Sequence, residues 1–124
     1  MDAAESLVRE FCDAWAKLDP DLITGYFAQD GVYHNMPLPP LNGHAAIKEF
    51  LVGFLANLTT AEFTIHHLVS DGTVVFTERT DAFTLAGKDG AFPVCGVFEI
   101  ADGKIKAWRD YFDMAQVTSF LAGS

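Results

Sequence analysis

The period of the hydrophobic pattern changes near the middle of the chain, and this change restricts the folds that the chain can adopt. Before Thr60, apolar residues recur at three- and four-residue intervals, which is typical of amphipathic helices. Beyond Thr60 the period becomes two, and turn signals follow at regular spacing. Helices followed by a run of strands, without alternation, predict an α+β fold with helices on one face of a curved antiparallel sheet.

Four helices are predicted, three of them in the first half of the chain. The first runs from Ala3 to Leu18, and Asp19-Pro20 begins a short second helix that ends at Asp30-Gly31. The third follows Asn42-Gly43 and has a wide apolar stripe, made of Ile47, Phe50, Leu51, Phe54, Leu55 and Leu58. The fourth extends from Met114 to Leu121. The apolar stripe of the third helix requires a sheet to cover it.

Five strands are predicted. A short one spans Val32 to Asn35, and the proline-rich loop from Met36 to Leu41 follows it, since proline cannot donate to a ladder. The four long strands extend approximately over Glu62 to Ser70, Thr73 to Ala86, Ala91 to Ala101 and Lys104 to Asp113. Because the connections between these four are short, consecutive strands must be antiparallel neighbours.

Length and charge restrict the domain count and the partners. The 124 residues make one domain, residues 1–124, and 50% of them are hydrophobic, which is enough for a sizeable core. Eight Lys and Arg against 17 Asp and Glu give a net charge of −9, which disfavours nucleic acid and anionic membranes as partners. The acidic start lacks a secretory signal, and no apolar run approaches the roughly 20 residues of a membrane span. A cytoplasmic protein is therefore expected.

No residue pattern indicates a metal site, a phosphate loop or a covalent nucleophile. His66 and His67 are adjacent on a strand, so simple alternation places them on opposite faces and excludes joint chelation of one ion. Cys12 and Cys95 lie far apart and outside any CxxC pair, and both are expected to be buried core thiols. The sequence therefore predicts neither a metal nor a cofactor.

Charged and polar residues occupy the side of the strands that should face the core. Alternation along the strand from Thr73 to Ala86 puts Arg79 and Asp81 on the side with the larger apolar groups, which comprises Val75, Thr77, Arg79, Asp81, Phe83 and Leu85. Asp110 lies between Trp108 and Phe112 in the same way. Tyr33 and Asn35 share one side of the short strand.

Two interpretations of these residues remain open from the pattern alone. Buried charges persist when they are paired or when a function maintains them. In the functional interpretation, two carboxyls, a guanidinium, a phenol and an amide form the base of a dry pocket suited to acid–base chemistry on a small apolar molecule. In the structural interpretation, Arg79 lies near the sheet rim and pairs with Asp81 or Glu78, while Tyr33 and Asn35 complete core hydrogen bonds.

Three short strings resemble the limonene epoxide hydrolase family in order and spacing. They are Tyr33-His34-Asn35-Met36-Pro37, Thr77-Glu78-Arg79-Thr80-Asp81 and Trp108-Arg109-Asp110-Tyr111-Phe112-Asp113. The resemblance covers nearly the whole chain. It implies a cone-shaped α+β fold of the nuclear-transport-factor-like superfamily, with a curved antiparallel or mixed sheet and helices on its concave face, and usually a homodimer. It also implies one-step hydrolysis of an epoxide to a vicinal diol without a cofactor.

The resemblance assigns a role to each of the five polar residues. Asp110 is expected to be the general base and to position the attacking water together with Tyr33 and Asn35. Asp81 is expected to be the general acid that protonates the epoxide oxygen. Arg79 is expected to lie between the two carboxyls and hold both, with one proton shared across the group.

Four apolar residues are candidates for the substrate pocket. Phe83 and Phe112 lie two residues beyond the acid and the base on the same faces, and Phe54 and Leu58 of the third helix could form the opposite wall. Ordinary core packing is the alternative for all four. Some family members carry a segment before the first helix that helps close the pocket, whereas this sequence starts almost at that helix. The natural epoxide and the selectivity of opening therefore stay open.

Two other functions compete with epoxide hydrolysis. Related cone folds support isomerases, dehydratases and polyketide cyclases. Those reactions move protons next to a carbonyl and do not call for an arginine held between an acid and a base. The second alternative is a noncatalytic small-molecule-binding dimer that uses the same polar group. The leading hypothesis is hydrolysis of a small apolar epoxide, including cyclic terpene-like ones, with water as the second substrate.

Overall fold

The computed structural model of the protein describes residues 2–122. It contains four α-helices, one 3-10 turn (Trp15–Lys17) and six strands. The helices are α1 (Ala3–Ala14), α2 (Pro20–Thr24), α3 (Gly43–Leu55) and α4 (Met114–Leu121). The strands are β1 (Phe27–Asn35), β2 (Leu41–Asn42), β3 (Leu58–Ser70), β4 (Val74–Leu85), β5 (Lys88–Ala101) and β6 (Lys104–Tyr111).

All six strands form one curved, mixed sheet in the order β2-β1-β6-β5-β4-β3. Strands β3 to β6 make an antiparallel meander, as their short connections predict, and β1 joins the sheet parallel to β6. Helix α1 packs against β3 and β4, while α3 packs against β1. The predicted α+β architecture, with helices on the concave face of the sheet, is confirmed.

The helix ends follow from local capping. The Asp2 carboxylate accepts a hydrogen bond from the Glu5 amide at 2.7 Å and begins α1. Asp19 caps α2 and is followed by proline at the first helical position. The Asp113 carboxylate accepts from the Ala115 amide at 2.9 Å, and α4 has the predicted bounds. In the described part of the chain no helix combines the length and apolarity that a membrane span requires.

The predicted extent of the second helix was wrong. Helix α2 ends at Thr24, and the residues predicted to end it, Asp30-Gly31, lie inside β1 where the register shifts. A Cβ at Gly31 would approach the carbonyl oxygens of Ala28 and Ile105 to about 3 Å. Glycine at this position therefore marks a close backbone approach within an irregular strand rather than the end of a helix.

The predicted end of the third helix also differs from the structure. Helix α3 stops at Leu55, and Leu58 begins β3 opposite Leu85. Leu58 fits the i, i+3, i+4 pattern of α3 by coincidence. It is the first residue of β3 and points inward, a position that also requires an apolar side chain. Leu58 is buried in the core.

Two further expectations about side-chain direction were wrong. Cys12 is buried, and burial raises the pKa of its thiol to about 12, whereas Cys95 is exposed on the outer face of β5. The β3 register shifts between Ile65 and His67. His66 contacts the Thr80 hydroxyl at 2.7 Å and His67 lies 3.8 Å from Glu78, so both rings reach the outer face of β4. In the described part of the chain no cluster of three potential metal ligands is present.

Candidate active site

The charged residues singled out by alternation lie inside the fold. Arg79 is 1% exposed, and Asp81 and Asp110 are 5% and 4% exposed. β4 supplies the first two, and β6 supplies Asp110. Because β5 lies between these strands in the sheet, Arg79 must reach across one strand to contact Asp110.

Arg79 bridges the two carboxylates. Its Nη2 donates to Asp81 Oδ2 at 2.8 Å and to Asp110 Oδ2 at 2.7 Å. Its Nε donates to Asp81 Oδ1 at 3.0 Å, and Nη1 donates to Asp110 Oδ1 and to Thr77 Oγ1, both at 3.1 Å. A guanidinium has five N–H donors, and all five are satisfied here. The group is therefore held in one geometry with two bidentate pairs.

Aromatic rings enclose this ionic group. The Arg79 guanidinium carbon lies 5.0 Å from the centre of the Phe63 ring and 5.6 Å from that of Trp108. Trp108 in turn stacks on Tyr33 with ring centres 4.4 Å apart. Such rings attract a cation while excluding water, so the ion pairs act in a medium of low dielectric constant.

The charges of this group do not balance when both carboxyls are ionised, because one guanidinium faces two carboxylates. Burial raises the pKa of Asp81 to about 6, while its hydrogen bond to Arg79 opposes the rise. Burial also raises the pKa of Asp110, against the charge of Arg79. Burial disfavours the Arg79 cation, but Asp110 and Asp81 hold its pKa well above the ordinary value. One retained proton would make the group neutral.

Tyr33 and Asn35 complete the polar set from β1. Asn35 pairs with Asp110 in the parallel ladder between β1 and β6, and Tyr33 pairs with Trp108. Burial and the charge of Asp110 raise the pKa of the Tyr33 phenol, against a side-chain hydrogen bond with Asn35. Tyr33 therefore stays neutral and keeps an O–H group beside the Asp110 carboxylate.

A cavity of about 140 Å³ opens beside these residues. Tyr33, Asn35, Asp81 and Asp110 line it, whereas Arg79 is not among its lining residues. The rest of the wall is apolar and largely aromatic, including Phe50, Phe54, Phe63, Phe83, Phe92 and Phe112. Two carboxyls, a phenol and an amide thus face one apolar space, and the guanidinium supports the carboxyls from outside it.

Three of the four predicted wall residues line this cavity. Phe54 comes from α3, Phe83 from β4, and Phe112 directly follows β6. Leu58 does not line it, because the helix that was to carry it ends three residues earlier.

Part of the wall was not predicted. Met114, Val117 and Phe120 of α4 line the cavity, and so does Phe92 of β5. Alternation along β5 could have found Phe92, since it shares a face with the fully buried Phe98. No local signal in α4 says which part of the sheet the helix covers.

The structural interpretation of Arg79 is wrong about its position, although the pairing with Asp81 that it expected is present. Arg79 is not at the rim, and Glu78 points to the other face, where it is exposed and lies near His67. Thr77 is a partner of Arg79 that the sequence interpretation left without a role.

Comparison with known proteins agrees with this geometry. Residues 2–122 match the family described as the limonene-1,2-epoxide hydrolase catalytic domain. The chain belongs to the limonene-1,2-epoxide hydrolase family. It is therefore an epoxide hydrolase of this family. Epoxide hydrolase EphG of Mycobacterium tuberculosis is 37% identical over 113 residues, covering 86% of this chain and 71% of that protein.

Solved structures resemble this chain over most of its length. An LEH-like epoxide hydrolase from M. tuberculosis is 34% identical, with a TM-score of 0.82, and the match covers 94% of this chain and 83% of that one. A SnoaL-like polyketide cyclase from Shewanella putrefaciens has a TM-score of 0.86 at 18% identity, covering 100% and 99%. The second likeness shows a shared fold alone.

Proposed function

We propose that this epoxide hydrolase adds water to a small apolar epoxide in one step and releases a vicinal diol. The observation that carries the proposal is that Asp81 and Asp110 face one apolar cavity while Arg79 holds both of them from behind. The two carboxyls supply both proton transfers of the reaction, so the mechanism calls for no metal or organic cofactor.

Asp110 acts as the general base. Neutral water is a poor nucleophile toward an epoxide carbon, and removal of its proton as the new C–O bond forms lowers the barrier. Tyr33 and Asn35 lie beside Asp110 on the cavity wall and offer hydrogen-bonding groups that orient the water. The water proton passes to the Asp110 carboxylate, and the water oxygen bonds to one ring carbon.

Asp81 acts as the general acid. As the bond between the attacked carbon and the ring oxygen breaks, that oxygen gains negative charge, and the Asp81 proton neutralises it. The pKa of Asp81, about 6, is above that of an ordinary carboxyl and keeps part of the population protonated near neutral pH. After the reaction Asp110 carries the extra proton, and its return to Asp81 resets the site.

Arg79 serves as a positioning residue. Its bidentate contacts fix both carboxyls, and its charge keeps the pair from taking up a second proton. The same guanidinium connects the two acids, so a single proton belongs to the whole group rather than to either residue alone.

The cavity indicates the class of substrate. An apolar protein cavity of about 150 Å³ holds a molecule the size of benzene. The cavity here is of similar volume, about 140 Å³, and has an aromatic wall. We expect a small monocyclic or short acyclic epoxide without charged groups.

The test is a single turnover with enzyme in excess over each member of a panel of terpene and cycloalkene epoxides, run in H₂¹⁸O. One-step hydrolysis puts ¹⁸O into the diol in the first turnover, and chiral analysis reports which carbon was attacked. An unlabelled diol from the first turnover would indicate an ester intermediate on a carboxylate. An isomerised ketone or enone would favour an isomerase, and binding without conversion would favour a noncatalytic module.

The proposal includes a homodimer formed through the outer face of the sheet. Three large apolar side chains are exposed there, with Val69 at 70%, Phe76 at 57% and Tyr111 at 47%. Val69 and Phe76 are cross-strand partners, and Tyr111 pairs with the exposed Cys95. Neighbouring exposed apolar side chains on a sheet face, such as Val69 and Phe76, are typical of an interface.

A further inference from the structure

Gly96 occupies the strand that Arg79 must cross. β5 lies between β4 and β6, and Gly96 pairs with Thr77 on one side and with Asp110 on the other. It is buried and belongs to the inward-facing row of β5, between Val94 and Phe98. Neighbouring strands are about 4.8 Å apart, so the Arg79 side chain spans roughly twice that distance to reach Asp110.

A side chain at this position would meet the ionic group itself. A Cβ added to Gly96 would lie within 3.0 Å of Arg79 Nη1 and Asp110 Oδ1, and 3.1 Å from Thr77 Oγ1. Carbon atoms in proteins do not approach polar atoms this closely without displacement. The three atoms that would be displaced are the two ends of the Arg79–Asp110 hydrogen bond and the hydroxyl that shares Nη1.

Backbone conformation does not require glycine here. Four described glycines have a positive φ, and Gly96 is not one of them. Glycine in a strand interior lowers stability relative to alanine when nothing else favours it, because it loses more backbone freedom on folding. The reason for glycine at this position is therefore the space that it leaves.

We propose that Gly96 is a positioning residue of this hydrolase, because the missing side chain opens the gap through which Arg79 bridges Asp81 and Asp110. This inference rests on the proposed function for its catalytic consequence. Its structural part, the effect of Gly96 on the ionic group, can be measured without any epoxide.

An added methyl group would separate Arg79 from Asp110. The titratable or charged groups that act on Asp110 come from three elements: Arg79 and Asp81 from β4, Tyr33 from β1 and Cys12 from α1. Arg79 is the cation in this set. A longer distance to it removes the attraction that opposes the effect of burial, and the pKa of Asp110 rises.

Gly90 provides a matched control on the same strand and the same face. A Cβ there would also lie within 3.0 Å of other atoms, but those atoms belong to the Phe120 ring of α4. Gly90→Ala therefore adds the same methyl group to the inner face of β5 and disturbs the cavity wall instead of the ion pairs. We expect it to change KM and leave the titration of the carboxyls unchanged.

The experiment compares Gly96→Ala, Gly90→Ala and the unmodified protein by two readouts. The first is a ¹³C NMR titration of the aspartate carboxyls, in which we expect Gly96→Ala to raise the pKa of Asp110 by about one unit. The second is the pH dependence of diol formation. Here we expect kcat at pH 7 to fall at least about tenfold and KM to change less than about twofold, because Gly96 does not line the cavity.

An Asp110 titration in Gly96→Ala that matches the unmodified protein would overturn the inference. Should Gly96→Ala fail to fold, the variant Arg79→Lys/Gly96→Ala is expected to fold, because an ammonium lacks the Nη1 group and only the contacts of the methyl group with Asp110 and Thr77 remain. If the methyl group also prevents the lysine variant from folding, the space does not serve Arg79 and the inference fails. Absence of diol from the unmodified protein would overturn the proposed function and leave the NMR result standing.

Discussion

The inner and outer faces of β4 each carry side chains that are unusual for a half-buried strand. The inner face carries Thr77, Arg79 and Asp81, each at most 5% exposed, while the outer face carries Phe76 at 57%. The inner ion pairs are 2.7 and 2.8 Å long and fully buried, whereas the outer pair, His67–Glu78, is 3.8 Å long and exposed. Neither exception is evidence of a gain in stability.

Both exceptions point to function, but for different physical reasons. A buried charged group is tolerated only when each of its donors and acceptors has a hydrogen-bond partner. Replacing any one member therefore lowers stability or activity. An exposed apolar side chain costs little by itself, and its meaning depends on what covers it. Substitutions on the inner face should therefore have large effects on activity, whereas substitutions on the outer face should affect the oligomeric state and leave activity nearly unchanged.

The largest expected effect is on the inner face. Asp81→Asn and Asp110→Asn should each lower kcat by about a thousandfold, because the amide keeps the shape and cannot transfer the proton. Each single substitution leaves Arg79 paired with one carboxylate, so far-UV circular dichroism should show an intact fold. Full diol formation by either variant would remove that residue from the mechanism. The double substitution, which leaves a buried cation without a partner, should unfold the protein.

The pH dependence sharpens the same comparison, because burial raises the pKa of the Asp81 carboxyl on the inner face of β4. The acid must be protonated, so kcat should fall as the pH rises past about 6, up to tenfold per unit. On the acidic side the rate should fall as Asp110 takes up a proton. A rate that stays constant from pH 6 to 9 contradicts the shared proton.

Stability provides a second check on Asp81. The folded state holds a proton up to about pH 6 that the unfolded carboxyl, with a pKa of 3.8, releases earlier. Between about pH 4 and 6 the folded form thus binds more protons than the unfolded form. The contribution of Asp81 to the free energy of unfolding therefore falls as the pH rises through that range. The decrease in stability measured by thermal unfolding should be smaller in Asp81→Asn, where Asp110 alone contributes to it.

Phe76→Asp tests the proposed dimer interface on the outer face of the sheet. If a second copy of the chain covers Phe76, the carboxylate introduced there should shift the mass measured by light scattering from dimer to monomer. Glu78→Gln is the control on the same strand and face, and its mass should not change. An unmodified protein that is already monomeric at micromolar concentration refutes the dimer proposal.

Phe83→Ala addresses the cavity wall and should have a moderate effect. Removal of the ring enlarges the cavity beside Asp81, so KM for a small epoxide should rise several-fold while kcat changes less. Leu58→Ala is the matched core substitution, because Leu58 is buried outside the cavity. It should lower the melting temperature and leave KM unchanged. Equal effects of the two variants on KM contradict the wall assignment.

The smallest effect is expected for the exposed contact between His67 and Glu78 on the outer face. Glu78→Gln should change kcat less than about twofold and leave the melting temperature within about a degree, since exposed pairs contribute little. A large loss of activity in this variant would mean that the two faces of β4 are coupled, and the contrast drawn between them would not hold.

Alternation alone was enough to predict the inward faces of β4 and β6, because a strand's side chains point to opposite sides regardless of the rest of the fold. The cap at Asp113 and the turns between the long strands were likewise local. Alternation misled at His66 and His67, where a register shift interrupts it, and periodicity misled at Leu58. In both cases a long-range constraint overrode the local pattern.

The sequence by itself therefore determined which residues of each strand point inward and how the helices begin. Only the tertiary structure decided where β1 and α4 lie relative to the four long strands. It placed β1 parallel to β6 and α4 over the cavity. These depend on pairings between residues far apart in the chain, which no local period encodes. The same reason explains why Gly96 has a visible role only once its neighbours on both sides are known.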